Sequence, residues 1–188
     1  MDLKLRYLLN EISRDSLKEI LDFDGIEDLE FKKLNPYEYT FQTNDRLEGY
    51  VQFEHFIGDE LNDYKFQPLL TDKFSEFYNS AFSVDGVSSQ AKESDLKYYY
   101  PILKVITKIN HQFISEIKPD CLTIFTDARD GSGLSDSAKD RIFKLMAQKH
   151  PASGYGMSSV NFIPDNKDGF CLYKISTIKK LKEQKRGK

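Results

Sequence analysis

Tyr98-Tyr99-Tyr100-Pro101-Ile102-Leu103-Lys104-Val105-Ile106-Thr107-Lys108-Ile109 opens the stretch whose reading decides the fold. It runs on to Phe113 and Ile117, then to Lys118-Pro119-Asp120 and Cys121-Leu122-Thr123-Ile124-Phe125-Thr126. Tyr99, Ile102, Leu103, Ile106, Ile109, Phe113 and Ile117 recur at helical spacing, so 98–117 reads as an amphipathic helix with one apolar stripe. Pro101 fits the first turn of such a helix, where its missing donor costs nothing. Lys118-Pro119-Asp120 stops it. The run after the stop is short, apolar and β-prone, the profile of a central strand covered on both faces.

Downstream, Ser135 to Lys149 reads as a second helix, with Ala138, Ile142, Phe143, Leu145 and Met146 inward and Ser135 as its cap. Two strands follow, 157–163 and 169–176, joined by a Pro164-Asp165-Asn166-Lys167-Asp168 hairpin. Residues 179–188 are basic and polar and read as a disordered tail.

Upstream, Leu5, Leu8, Leu9, Ile12, Leu17, Ile20 and Leu21 place one helix, or two short ones, over 3–21. Three strands then follow over 26–34, 37–43 and 49–56. Tyr37, Tyr39 and Phe41 alternate onto one face, as do Val51, Phe53 and His55. Short polar turns between them predict an antiparallel meander. Residues 57–97 lose periodicity and read as an insertion: Phe66, Leu69, Leu70, Phe74, Phe77 and Tyr78 suit a short helix or irregular packing, and Phe82-Ser83-Val84 a brief extended piece.

The expected fold is therefore α+β in one domain over 1–178. A mixed, mostly antiparallel sheet carries helices on its faces, in the order α-β-β-β-(insertion)-α-β-α-β-β. A chain of 188 residues buries a core without staples, and 14 Phe and 11 Tyr supply large apolar areas. The net charge of −3 gives no global attraction to nucleic acid. Cys121 and Cys171, both in apolar runs, read as buried reduced thiols. No leader pattern and no span-length apolar run is present, which points to a soluble cytoplasmic protein.

This order of elements is similar to the core of the GNAT acyltransferase superfamily. In local texture it resembles a group of small tailed-phage proteins of unassigned function. The shared features are the helix 102–109, the Lys-Pro-Asp turn, a strand ending in a short charged loop, and a helix like Ala138-Lys139-Asp140-Arg141-Ile142-Phe143-Lys144-Leu145-Met146-Ala147. The likeness spans roughly residues 37–176 without the insertion and carries no diagnostic motif. It implies a GNAT-like fold and a home in the host cytoplasm or the virion.

GNAT enzymes hold the acyl-CoA pyrophosphate on backbone N–H groups of a glycine-rich, basic loop at the start of the helix that follows the meander. Here that place is Lys92-Glu93-Ser94-Asp95-Leu96-Lys97-Tyr98-Tyr99-Tyr100, with no glycine and two acids. The departure points away from acyl-CoA and from any cofactor. It favours a non-enzymatic binding or assembly protein with a protein partner or a homo-oligomer. The alternative is an acyl- or other group-transferase with a rebuilt donor site, which would take acyl-CoA.

Asp127-Ala128-Arg129-Asp130-Gly131-Ser132-Gly133 is the most site-like stretch, because ligands of α/β sheets gather where strands end. A calcium loop with Gly131 sixth would need Thr126, Ala128 and Ser137 as ligands, which fails. A phosphate loop needs a lysine where Leu134-Ser135 stands. The stretch is either a plain strand-to-helix connection or a ligand site built on Asp127, Arg129 and Asp130. His55, His111 and His150 lack metal-ligand spacing, so no metal is expected. The 98–100 tyrosines suit packing or base stacking. The basic tail is solvated or touches nucleic-acid phosphates.

Overall fold

In the computed structural model the described residues are 30–42, 48–57, 64–67, 76–84, 96–125, 144, 147–148, 151–162 and 167–186. They hold β1 (Phe31–Asn35), β2 (Glu38–Gln42), β3 (Glu48–Phe56), β4 (Tyr64–Gln67), β5 (Phe77–Val84), α1 (Leu96–Ile117), β6 (Cys121–Phe125), β7 (Tyr155–Phe162), β8 (Lys167–Lys174) and α2 (Ile175–Arg186). The expected helix over 3–21 falls outside these residues. So does that over 135–149, apart from Lys144, Ala147 and Gln148, which are helical.

The strands form one eight-stranded sheet in the order β1-β2-β3-β5-β6-β8-β7-β4. Every neighbouring pair is antiparallel except β5 with β6. The protein is thus α+β with a mostly antiparallel mixed sheet, as the periodicities indicate. The parallel pair needs a crossover, and α1 supplies it.

Neighbouring residues of the central strands point to opposite faces and build two cores. On one face Tyr39, Val51, Phe53, Tyr78, Leu122, Ile124 and Leu172 meet Ile102, Ile106, Ile109 and Phe113 of α1. The Phe53 and Phe113 rings stack with centroids 3.7 Å apart and planes 2° from parallel. Burial of each such side chain contributes about 1.5–3 kcal/mol. The stripe on α1 is wider than the sequence suggests, because Val105, Asn110 and Ile114 are also buried. On the other face Phe77, Cys121, Val160 and Cys171 form a smaller cluster against which Ile178 of α2 packs. Both cysteines are free and buried, and burial pushes the Cys121 thiol pKa well up.

Three expectations are corrected. The 57–97 segment is not simply an insertion: it contributes edge strand β4, and β5 lies between β3 and β6. Phe77 and Tyr78 are both buried, on opposite faces, so the start of β5 lacks the alternation of a half-buried strand. Ser80 further disguises it, a buried hydroxyl that donates to Asn110 Oδ1 at 2.8 Å. Pro101 is not in the first turn, because α1 begins at Leu96. The basic tail is helical up to Arg186. Its Lys, Arg, Gln and Glu are good helix formers, and Ile175 and Ile178 stand at helical spacing. Thr177 Oγ1 donates to Asp120 Oδ1 at 2.7 Å and so ties the first turn of α2 to the body.

Candidate functional site

The parallel pair gives the sheet two distinct ends. At the far end β6 is described to Phe125 and β5 to Val84. Their register runs from Phe77↔Cys121 to Ser80↔Ile124. The last residues of β5 pair with β3, through Gly49↔Val84. Near that end polar groups stitch β5 and β6 together. Thr123 Oγ1 donates within reach of Tyr78 O, at 3.2 Å, and of Asn79 Oδ1, at 3.1 Å. The buried Ser80–Asn110 bond joins β5 to α1. Asp127, Arg129 and Asp130 follow β6 in the chain and lie outside the described residues, as do residues 92–95.

At the near end, where β5 and β6 start, the connections are dense. Lys118 closes α1 in the left-handed conformation, φ 56°, and its N–H donates to Ile114 O at 3.0 Å. The Lys-Pro-Asp turn that follows joins three strands. Asp120 N–H donates to Glu76 O at 2.8 Å, and Lys174 N–H to Asp120 O at 2.9 Å. Tyr155 Oη donates to Pro119 O at 2.6 Å. Burial, then the Asp120 charge, pushes the Tyr155 pKa up to about 12.

Beside the turn lies an aromatic and acid–base group that sequence spacing does not reveal. His55 stacks on Tyr78 with centroids 4.5 Å apart, and its Nε2 is 3.6 Å from Glu76 Oε2. Tyr78 Oη donates to the same Glu76 oxygen at 3.2 Å. Burial first, then Glu76, raises the Tyr78 pKa. Tyr37 stacks on the other side, 6.0 Å from Tyr78. A cleft of about 500 Å³ opens between Tyr37 and His55. Only pairing of β3 with β5 brings His55 to Glu76, and the sequence gives no local sign of it.

A second cleft, of about 590 Å³, lies at the same end between α1, residues 151–155 and the start of α2. His111 lines it, while His150 is outside the described residues. Among the described residues no group of His, Cys, Asp or Glu is arranged to hold a metal, and no helix is long and apolar enough to cross a membrane.

Among the described residues four large apolar side chains are exposed: Leu34 is 50% exposed, Tyr37 43%, Ile57 64% and Ile175 38%. Leu34 is near the end of β1, Tyr37 precedes β2, Ile57 follows β3, and Ile175 follows β8. Given the strand directions, all four lie at the near end, as do the two clefts above, while the far-end connections 43–47, 85–95, 126–143 and 163–166 are outside the described residues. No family model, no curated protein and no solved structure matches the chain.

Proposed function

We propose that this chain is a non-enzymatic binding or assembly protein. It is phage-encoded, is built on a GNAT-like core, and acts in the host cytoplasm or the virion through a protein partner or a second copy of itself. The observation that carries the binding role is that Leu34, Tyr37, Ile57 and Ile175, the large exposed apolar side chains among the described residues, share one end of the sheet. Scattered exposed apolar residues carry no meaning, whereas a shared location marks a contact surface. Support for the GNAT-like core comes from the crossover through α1 between the parallel strands β5 and β6. Support for a non-enzymatic role comes from the sequence of 92–100, which lacks glycine and holds two acids. The phage assignment rests on the likeness of the 102–109 helix, the Lys-Pro-Asp turn and the 138–147 helix.

The crossover through α1 between the parallel strands also fits a second reading, a group-transferase with a rebuilt donor site. Light scattering separates the two. The assembly reading expects a defined oligomer or a co-purifying partner, lost in a Tyr37→Glu, Ile57→Glu double variant whose melting curve is unchanged. A wild-type monomer with no partner, or an assembly indifferent to the double variant, contradicts it.

A further inference from the structure

The second near-end cleft differs from the first in charge. Lys118, Lys174 and Lys179 border it, and no Asp or Glu is among the described residues that line it. None of the three lysines is ion-paired with a described carboxylate. Lys174 Nζ instead donates to the backbone oxygen of Lys118 at 3.3 Å, which draws the two residues together. Lys118 and Lys179 are exposed. The rest of the lining is largely apolar, with Ile114, Ala152, Tyr155 and Ile175 among it.

This charge is local. Residues 174–186 contain six basic residues and one acid, in a chain of net charge −3. The first turn of α2 has no acidic side chain of its own, and the carboxylate that meets it, that of Asp120, accepts from Thr177 Oγ1. The twelve residues of α2 carry the basic run away from the cleft over about 16 Å.

We propose that the cleft and α2 bind single-stranded nucleic acid, with phosphates on Lys118, Lys174 and Lys179 and a base against the apolar lining. Three features select this occupant. A cleft of about 590 Å³ is of the size that takes a small organic ligand, so it admits one nucleotide unit. A free mononucleotide or phosphate would use the cleft but leave the basic run of α2 without a role. A duplex would offer phosphates but keep its bases stacked, and the apolar lining would have no partner. Strands without sequence preference are bound by a basic track combined with surfaces for base faces, and both are present here.

The inference does not depend on whether the chain assembles with proteins, because the two are read by different signals. The test is fluorescence anisotropy of a labelled deoxythymidine 12-mer, titrated with the full chain from low to moderate salt. Saturable binding is expected, with affinity that falls linearly in log salt at about 0.7 per phosphate contact. A Lys118→Asn, Lys179→Glu double variant should weaken binding at least tenfold and flatten that slope, while Lys32→Gln on β1 changes neither. Asn tolerates the left-handed backbone at 118, and an unchanged melting curve verifies the fold. No saturable binding overturns the proposal, as does binding unaltered in the double variant. Equal competition by polyglutamate would show bare charge attraction and overturn it. So would binding of mononucleotide or inorganic phosphate without the 12-mer.

Discussion

The two ends of the sheet are built from the same strands and held by different means. At the near end the turn that leads into β6 is tied to the starts of β5 and β7 and to the end of β8. Glu76 O accepts from Asp120 N–H, Asp120 O from Lys174 N–H, and Pro119 O from Tyr155 Oη. At the far end, among the described residues, Ser80 bonds to Asn110 and Thr123 to Asn79. A GNAT-like core would place its cofactor at the far end. Among the described residues the large exposed apolar side chains, two clefts and the start of the basic helix are at the near end. A turn with three tethers thus fixes the near end in place, as the proposed binding surface requires.

Removing the largest near-end contact tests that anchoring first. Phe113→Ala empties a fully buried site and ends the stack on Phe53, and should cost about 3–5 kcal/mol. Urea unfolding should show a lower midpoint at unchanged slope. A loss below about 1 kcal/mol would mean that α1 is not held there. At the far end the matching change is Gly49→Ala. A Cβ at Gly49 would lie 2.1 Å from the Phe41 ring, which covers it across the β2–β3 pair. Phe41 is buried, so its displacement should cost about 1–3 kcal/mol, and the same unfolding assay reads it.

The smallest expected effect is an alkaline one. Tyr155 has a folded pKa of about 12 against about 10 for a free tyrosine, so folding favours its neutral, donating form. Its contribution is fully present below pH 10 and is lost as pH rises from 10 through 12. Tyr155→Phe should flatten that part of the stability profile and cost about 1 kcal/mol at neutral pH. A variant that keeps the wild-type alkaline fall would remove Tyr155 from the near-end clamp.

The sequence carried the elements whose apolar pattern is one-sided or continuous. The α1 stripe from Ile102 to Phe113 and the unbroken run Cys121–Ile124 were legible because burial there follows simple periods. β5 was hidden: its start is buried on both faces, and Ser80 owes its place to a hydrogen bond that it donates to a helix residue thirty positions away. The α2 helix was hidden behind its charge, since the tether from Thr177 to Asp120 crosses fifty-seven residues. The His55–Glu76–Tyr78 group depends on strand pairing, and the near-end clefts on where three elements meet, so neither leaves a motif. Asp127, Arg129 and Asp130, which follow the central strand in the sequence, lie outside the described residues.

The proposed function has this protein work through its near-end surface and not through an acyl-donor site at the far end. Calorimetric titration of the full chain with acetyl-CoA and with CoA tests it most directly. The account predicts no saturable heat with either compound. A saturable response in the low-micromolar range would contradict it and favour the group-transferase reading.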